Sequence, residues 1–284
     1  MKRAALVLHG DRPEAAECGR WLAEALTKRG VQVFAQAADA ERLKDTATTA
    51  SQTDLDRGFD VMFALGGDGT FLRAAEAAAR SDTPLLGVNL GRVGFLAAVE
   101  RADLESALDR ILADGIATTQ RMTLDAEVLV DGRALHRLWA LNDIGVSKLE
   151  PGRLIKLGIA IAGEQFTTVA ADGVVVATPT GSTAYSFSSG GPVVAPDVDC
   201  LIVTPVSPHL AFDRSVVTGP DDLVEITVLP DPDAVAVSAD GRPWIEVPAG
   251  AVIRIRRSER RLRIASVDAT PFWRLVRTKF RLPG

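Results

Sequence analysis

The chain has 284 residues, of which 47% are hydrophobic and 24% charged, and its formal net charge is -5. These values are typical of a globular protein with a sizeable core and leave no room for large-scale disorder. A negative net charge argues against a nucleic-acid partner, because nucleic-acid binders usually collect a basic surplus on one face. No apolar stretch reaches the roughly 20 residues of a membrane span, so we expect no membrane association and a cytoplasmic location.

The first 120 residues alternate between strand-like and helix-like segments. We predict strands at 4–8, 31–35, 60–65 and 85–90, and helices at 13–29, 70–80 and 104–112. Such alternation implies a parallel sheet covered by helices, and therefore an α/β domain over residues 1–120. The polar stretch at 36–58 is rich in Ala and Thr. It predicts a mobile loop with a short helix.

Beyond Arg121 the sequence changes to β-branched runs separated by turns. Asp131-Gly132 joins runs at 124–130 and 134–141, the pattern of a β-hairpin. Further strands are predicted at 154–162, 166–170, 174–177, 201–206, 223–229, 234–238 and 252–256. We therefore expect a β-rich domain over 121–265, followed by a C-terminal segment at 266–284 that returns to the first domain.

The clearest chemical signal is the glycine loop Gly66-Gly67-Asp68-Gly69-Thr70, which directly follows the strand at 60–65 and precedes a helix. Open α/β sheets bind ligands beyond the carboxyl ends of their strands. Glycines let backbone N–H groups approach phosphate oxygens, and a helix start favours negative charge. A carboxylate repels phosphates unless it holds Mg²⁺ or accepts a proton from an attacking hydroxyl, so Asp68 indicates phosphoryl transfer. The alternative is a tight turn in which Asp68 only caps the helix.

Hydroxyl side chains and glycines dominate the stretch from Ala170 to Pro192. Their donors and acceptors suit a sugar and a base, and Tyr185, the only tyrosine of the chain, is suited to stacking on a base. Asn142-Asp143, predicted at the end of a strand, offers an amide and a carboxylate to a ribose diol. A Ser/Thr-rich surface turn and an ordinary capping dipeptide are the alternatives.

From Asp60 to the C-terminal end the chain resembles the NAD kinase family, and its actinobacterial branch is the most similar. Four ordered motifs carry the resemblance: Gly66-Gly67-Asp68-Gly69-Thr70-Phe71-Leu72, Asn89-Leu90-Gly91 with Gly94-Phe95-Leu96, Leu141-Asn142-Asp143, and Asp172-Gly173 through Thr178-Pro179-Thr180-Gly181-Ser182-Thr183-Ala184-Tyr185 to Gly191-Pro192. The resemblance implies an enzyme that transfers the γ-phosphoryl group of ATP to the 2′-hydroxyl of the adenosine ribose of NAD, giving NADP. It also implies an NAD kinase-like fold, with an α/β nucleotide-binding domain followed by a β-rich domain that binds NAD and mediates oligomerisation.

The resemblance further implies a role for individual residues. Asp68 would act at the reacting 2′-hydroxyl as general base or orienting group. The implied binding residues are Gly66, Gly67, Gly69 and Thr70 for the phosphates of ATP, Asn142 and Asp143 for ribose hydroxyls, Asp172 for the nicotinamide amide, and Phe95, Thr183, Ala184, Tyr185 and Ser188 for the adenosine end of NAD. Mg²⁺ or another divalent cation would arrive with ATP, with no protein side chain assigned to it. A homodimer or homotetramer is also implied.

Several alternatives stay open at this point. Kinases that act on a lipid or a sugar phosphate share the short glycine loop, although Phe71-Leu72 and the stretch at 172–192 favour NAD. A non-catalytic sensor of NAD or NADP would have no need for a carboxylate beside phosphates. The missing G-x-x-x-x-G-K-[ST] and G-x-G-x-x-G patterns argue against a P-loop kinase and an ordinary Rossmann dehydrogenase. The sequence does not decide between ATP and polyphosphate as donor, or between NAD and NADH as acceptor.

Overall fold

The structure, a computed structural model, describes residues 1–91, 94–96, 99–209, 213–230, 234–267 and 271–283. The chain divides into two compact units. The first comprises Met1–Gln120 together with Arg261–Gly284, and the second comprises Arg121–Arg260. Among the described residues, none of the helices combines the length and apolar composition needed to cross a bilayer.

A mixed α/β arrangement forms the first unit. Its strands are β1 (Arg3–Leu8), β2 (Gln32–Ala35), β3 (Thr48–Thr49), β4 (Val61–Gly66), β5 (Leu85–Asn89), β6 (Val99–Glu100), β7 (Ala117–Arg121) and β20 (Leu262–Ser266). Within the described residues they form an eight-stranded sheet in the order β3-β2-β1-β4-β5-β20-β7, with β6 also pairing with β5. The central pairs β1–β2, β1–β4 and β4–β5 are parallel, which confirms the predicted parallel sheet.

The helices of this unit are α1 (Pro13–Lys28), α2 (Ala37–Leu43), α3 (Gln52–Arg57), α4 (Asp68–Arg80), α5 (Leu104–Asp114) and α7 (Phe272–Phe280), with a 3-10 turn at Arg101–Asp103. Buried apolar residues of α1, α2, α4 and α5 pack on the strands, which covers the sheet. Leu22 and Leu26 of α1 lie in one buried cluster with Leu8 and Phe63 of the sheet. Full burial of each such side chain contributes about 2 kcal/mol. The first unit therefore has a hydrophobic core of its own.

The stretch at 36–58 is more ordered than its composition indicates. Instead of a mobile loop with one short helix, the structure has α2, β3 and α3 in this region. Ser51 and Asp54 form a capping box at the start of α3, with Asp54 N donating to Ser51 Oγ and Ser51 N donating to Asp54 Oδ2. The loop prediction was wrong because caps and packing stabilise such short helices, which carry too little periodicity to be recognised.

Two six-stranded antiparallel sheets form the second unit among the described residues. The first sheet has the order β15-β14-β13-β10-β17-β18, with bounds Val216–Thr218, Leu201–Val206, Gly173–Ala177, Asp143–Lys148, Ala234–Ala239 and Ile245–Pro248. The second has the order β12-β11-β16-β19-β8-β9, with bounds Glu164–Ala171, Ile155–Ile161, Val224–Val228, Val252–Arg257, Leu124–Val130 and Arg133–Ala140. One buried cluster draws on both sheets, which pack face to face. The predicted β-rich character is confirmed.

The hairpin predicted at Asp131-Gly132 is present, since β8 and β9 pair antiparallel around it. Both turn residues have positive φ angles, 50° for Asp131 and 74° for Gly132. A two-residue turn with both angles positive matches the right-handed twist of the strands that it joins. Asp and Gly tolerate this conformation, so the local sequence determines the turn.

The strand β10 was not predicted, although it lies in the middle of its sheet between β13 and β17. Its first four residues, Asp143 to Val146, are all buried. A strand buried on both faces shows no alternation, and Gly145 lowers its apparent strand propensity further. Asn142 therefore lies between β9 and β10, and Asp143 begins β10 rather than following the end of β9. The short strands β6, β7, β15, β18 and β20 were also missed.

Candidate active site

The glycine loop of the first unit joins β4 to α4 at the carboxyl edge of the parallel sheet. Gly66 is the last residue of β4, Gly67 is the N-cap of α4, and Asp68 is the first helical residue. The helix thus starts two residues before the predicted Thr70, and Asp68 is not the cap, so the capping alternative is wrong. The first N–H groups of a helix have no partner within it and attract anions. The loop offers such groups at Asp68 and Gly69.

Gly66 is required by the close approach of the strand to the helix. A Cβ atom at Gly66 would lie 2.2 Å from Thr70 Oγ1 and 3.2 Å from His9 Cβ. Thr70 itself is only 4% exposed. Among the described residues, nothing lies within 4 Å of a Cβ atom built on Gly67 or Gly69. The loop is therefore tightly packed on its inner side and open on its outer side.

The Asp68 carboxylate is held by the segment at 94–96. Phe95 N donates to Asp68 Oδ2 at 2.9 Å, and Leu96 N donates to Asp68 Oδ1 at 3.2 Å. A Cβ atom at Gly94 would lie 1.8 Å from Asp68 Oδ1, so any other residue there would displace the carboxylate. The Phe95 ring lies 5.8 Å from the Phe280 ring, between centroids. The structure thus brings together two predicted site residues, Asp68 and Phe95.

Arginines that the sequence analysis did not single out lie at the same edge of the sheet. Arg42 donates to the carbonyl oxygens of His9 at 2.6 Å and Arg12 at 3.0 Å, and so holds the loop after β1. Arg12 Nη1 lies 2.8 Å from the position that a Cβ atom on Gly91 would occupy. A cavity of about 300 Å³ opens beside Gly91. Its lining contains Glu14, Glu17 and Glu100 beside Arg101, so the cavity itself is not basic.

In the second unit, the hydroxyl-rich segment packs directly on the Asn142-Asp143 turn. Thr178 N donates to Asn142 O at 2.8 Å, and Thr178 Oγ1 donates to Leu141 O at 2.6 Å. A Cβ atom at Gly181 would lie 2.0 Å from Asn142 O. Two motifs that are far apart in sequence therefore form one surface of this unit.

Asp143 is buried, with 6% exposure, and receives a hydrogen bond from the backbone N–H of Tyr185. Burial and the nearby charge of Asp240 raise the pKa of Asp143 from 3.8 to about 7, and the Tyr185 N–H opposes this shift. Asp143 therefore changes its charge near neutral pH. Asp240 was missed by the sequence analysis, because a single Asp before Gly is an ordinary turn signal.

Tyr185 lies near two of the predicted carboxylates. Burial, and then the charges of Asp172 and Asp143, raise the pKa of the Tyr185 phenol. Its side chain is nevertheless 45% exposed. Asp172 also forms an ion pair with Lys148 of β10. Asp143, Asp172 and Tyr185 are thus neighbours, as the predicted NAD-binding role requires.

The remaining predicted residues of the second unit lie on one short helical stretch. Thr183 ends the 3-10 turn Thr180–Thr183, and Ser188 ends the short helix α6 (Tyr185–Ser188). Ala184 joins them, and its N–H donates to Gly181 O at 2.9 Å. Thr183 and Ala184 are half-buried, whereas Ser188 is exposed. The stretch follows β13, so one element presents all three residues.

Three polar atoms of the second unit are buried without a hydrogen-bond partner in the described part of the chain. They are Trp139 Nε1, Asn142 Oδ1 and Thr180 Oγ1. Leaving such an atom unpaired costs about 1–3 kcal/mol, so native proteins rarely do so without a reason. Asn142 Oδ1 and Thr180 Oγ1 belong to the predicted ligand-binding motifs, where ligand hydroxyl or amide groups would satisfy them. Thr180 was not among the predicted site residues, and only its buried, unpaired hydroxyl identifies it.

No group of three or more His, Cys, Asp or Glu side chains is placed to hold a metal ion within the described ranges. Mg²⁺ commonly binds through one or two carboxylates together with substrate phosphates rather than in a protein cage. A single carboxylate beside the glycine loop, that of Asp68, fits a cation that arrives with a nucleotide.

Comparisons with known proteins agree with this geometry. The family model described as "ATP-NAD kinase N-terminal domain" matches residues 4–116, and "ATP-NAD kinase C-terminal domain" matches residues 141–267. The chain belongs to the ATP-NAD kinase family. A protein of Thermobifida fusca (strain YX) named NAD kinase is 40% identical over 289 residues, which cover 98% of this chain and 89% of that protein. The predicted family and the predicted enzyme class, a phosphotransferase, are confirmed.

Two solved structures share the fold. Yeast NADH kinase complexed with NADH is 24% identical with a TM-score of 0.89, covering 99% of this chain and 87% of that chain. An NAD kinase from Archaeoglobus fulgidus in complex with ATP is 26% identical with a TM-score of 0.77, covering 99% of this chain and 100% of that chain. These similarities confirm the predicted NAD kinase-like fold.

Proposed function

We propose that the chain transfers the γ-phosphoryl group of ATP to the 2′-hydroxyl of the adenosine ribose of NAD, and that Asp68 receives the proton of that hydroxyl. The observation that carries the proposal is a carboxylate at the start of a helix, directly after a glycine turn, whose orientation two backbone N–H groups fix. Relatives named NAD kinase and the Archaeoglobus fulgidus complex with ATP support the choice of substrates.

The glycine loop would bind the phosphates of ATP through its backbone. Gly67 and Gly69 leave open space above the first turn of α4, where N–H groups and the helix dipole favour negative charge. Gly66 and Thr70 lie on the inner side of the loop, where the Thr70 hydroxyl packs against Gly66 and would support the backbone that binds the phosphates. Mg²⁺ bound with ATP would neutralise phosphate oxygens during the transfer. Most of the rate enhancement would then come from positioning and charge stabilisation.

The second unit would bind NAD. Asn142 Oδ1 and Thr180 Oγ1, both buried and unpaired, are available to hydroxyl or amide groups of the ligand. An ionised Asp143 accepts hydrogen bonds from ribose hydroxyls, and Asp172 accepts one from the nicotinamide amide. Tyr185 offers an aromatic face to the adenosine end. Thr183, Ala184 and Ser188 would line the same adenosine site.

A coupled assay for NADP formation tests this function. We expect NADP from NAD with ATP and Mg²⁺, and loss of product when the cation is chelated. Parallel reactions with polyphosphate as donor and NADH as acceptor define the specificity. Phosphorylation of diacylglycerol or fructose 6-phosphate, with none of NAD, would contradict the proposal in favour of another kinase. Tight NADP binding without ATP consumption at any Mg²⁺ level would identify a sensor instead.

We also propose that the chain forms a homodimer or homotetramer in the cytoplasm through its β-rich unit. Leu135 on β9 is 59% exposed and Phe166 on β12 is 44% exposed. Both strands lie at edges of the second sheet, where unpaired backbone groups and apolar side chains favour association. Light scattering of the full chain should give twice or four times the monomer mass. A monomer mass at working concentrations would contradict this part of the proposal.

A further inference from the structure

We propose that Asp240 is a positioning residue of the NAD site, which holds the Asn142-Asp143 turn and controls how strongly the Asp143 carboxyl binds ribose hydroxyls. Asp240 lies at the end of β17, directly before Gly241. This inference rests on the proposed function, because it concerns the residues that would bind the NAD ribose. It adds a residue that acts through Asp143 and has no assigned contact with the ligand.

The geometry is that of a carboxylate bound by three successive backbone N–H groups. Asp240 Oδ2 accepts from Leu141 N at 2.9 Å, and Oδ1 accepts from Asn142 N at 2.7 Å and from Asp143 N at 3.2 Å. In return, Asp240 N donates to Asp143 O at 2.9 Å. The Asp240 side chain has 0% exposure. This one buried side chain therefore binds three successive amides of the turn, alongside the contacts that Thr178 makes to the carbonyl oxygens of Leu141 and Asn142.

The backbone of Asp240 has the turn conformation already described for Asp131-Gly132. Its φ angle is 53°, in the left-handed region, and Gly241 follows with a φ angle of 65°. Asp tolerates this region better than most residues, so the Asp-Gly pair forms the turn after β17 from its own backbone preferences. The Asp240 side chain then lies within hydrogen-bonding distance of the amides at 141–143.

Asp143 and Asp240 are both buried, and the charge of Asp240 acts on Asp143, so their surroundings decide which carboxyl group carries the proton. Asp240 accepts three N–H groups and lies 3.7 Å from Arg242, measured from Nη2 to Oδ2. Among the described residues, Asp143 accepts a backbone hydrogen bond from Tyr185 alone. The negative charge is therefore better stabilised on Asp240, and the proton resides on Asp143.

The charge of Asp240 thus opposes the ionisation of Asp143. Burial raises the pKa of Asp240, and the positive charge of Arg242 works against this shift and so favours the charged Asp240 carboxylate. The charges of Asp172 and Asp143 both raise the pKa of the Tyr185 phenol. An ionised Asp143 accepts from two ribose hydroxyls, whereas its neutral form must use one oxygen as a donor. We therefore expect kcat/KM for NAD to rise with pH as Asp143 ionises, near pH 7.

The test compares Asp240→Asn with the wild-type enzyme across the pH range. Asparagine retains an oxygen for the Asn142 and Asp143 amides but removes the negative charge. We expect the rising limb of kcat/KM for NAD to move towards acid by about one pH unit or more, because a like charge beside Asp143 has been removed. Infrared difference spectra of the protonated carboxyl band should titrate at the same lower pH. The control is Asp222→Asn, since Asp222 accepts from Gly219 N in a different turn of the same unit.

A second variant keeps the inference testable if Asp240→Asn does not fold. Arg242→Gln removes the positive charge that favours the charged Asp240 carboxylate, so the limb should move in the same direction as in Asp240→Asn, towards acid, but by less. Superimposable pH profiles of the wild-type enzyme and Asp240→Asn, or a shift of Arg242→Gln towards alkaline pH, would overturn the inference. These results leave the proposed function intact if the wild-type enzyme forms NADP. A wild-type enzyme that makes no NADP would instead refute the function, and the infrared titration would still report on Asp143 and Asp240.

Discussion

Asp68 and Asp143 each begin a secondary-structure element, yet their surroundings differ. Asp68 starts a helix, is partly exposed and accepts N–H groups from Phe95 and Leu96. Asp143 starts a strand, is 6% exposed, and has its pKa raised by burial and by the charge of Asp240. Backbone donors fix the orientation of the first carboxylate, whereas a second acid controls the charge of the other. An aspartate side chain is therefore suited to the proposed catalytic role in the first unit and to the proposed ligand-binding role in the second.

The largest effect should follow from Asp68→Asn. Asparagine fits the same space and still accepts from one of the two N–H groups, but it cannot take up a proton. We expect kcat to fall roughly 10²-fold or more, the range for loss of general-base catalysis, with the fold retained. Steady-state kinetics measure kcat, and circular dichroism measures whether the fold is retained. Asp109→Asn, at an exposed ion pair with Arg29, is the control. Near-normal turnover of Asp68→Asn would remove the catalytic role.

Replacing Asp143 by Asn should change stability in a pH-dependent way. The pKa of Asp143 is raised from 3.8 to about 7 in the folded protein. The unfolded chain therefore releases this proton at a lower pH than the folded protein does, and the wild-type protein loses stability as pH rises between these two values. Relative to wild type, Asp143→Asn should therefore gain about 2–3 kcal/mol in free energy of unfolding from about pH 5 to about pH 8. Urea titrations at several pH values measure the difference.

The control for this stability experiment is Asp131→Asn, because Asp131 lies exposed in the turn between β8 and β9, where Asn is equally suited. A constant difference between Asp143→Asn and wild type at all pH values would show that Asp143 is not the group that titrates near neutrality.

A smaller effect on kcat is expected for Gly94→Ala. The new Cβ atom would lie 1.8 Å from Asp68 Oδ1, so the carboxylate must move out of its hydrogen bonds. Misplacing a catalytic group by about 1 Å lowers the rate by roughly 10- to 100-fold. Gly158→Ala is the matched control, because its nearest neighbour would lie at an ordinary 3.6 Å. Unchanged kcat in Gly94→Ala would mean that the observed Asp68 orientation does not matter for catalysis.

The smallest effect should come from Thr180→Val, compared with Thr178→Val. Thr180 Oγ1 has no partner among the described residues, whereas Thr178 Oγ1 bonds Leu141 O and Gly181 N. We expect Thr180→Val to raise KM for NAD by roughly 3- to 10-fold, the value of one hydrogen bond, without lowering the melting temperature. Thr178→Val should lower the melting temperature. The opposite pattern would assign Thr180 a structural role.

Local sequence predicted those parts of the molecule in which neighbouring residues decide the conformation. The glycine loop after β4, the turn at Asp131-Gly132 and the helix between Pro13 and Gly30 all follow from backbone preferences within a few residues. The strand β10 and the short elements at 36–58 do not follow from such local preferences, because contacts with residues far away in the sequence stabilise them. Pairing with β13 and β17 makes Asp143–Lys148 a strand, whatever its own propensity.

The sequence by itself determined the α/β and β-rich organisation, the glycine loop after β4 and the hydroxyl-rich segment, because apolar periodicity and glycine-containing motifs are local properties. Only the tertiary structure decided that Asp240 binds the amides at 141–143, that the Thr180 hydroxyl is buried without a partner among the described residues, and that the segment at 94–96 holds Asp68. Charge state and hydrogen bonding depend on distances between residues far apart in the chain. The folded arrangement therefore fixes the chemistry of side chains whose identity the sequence provides.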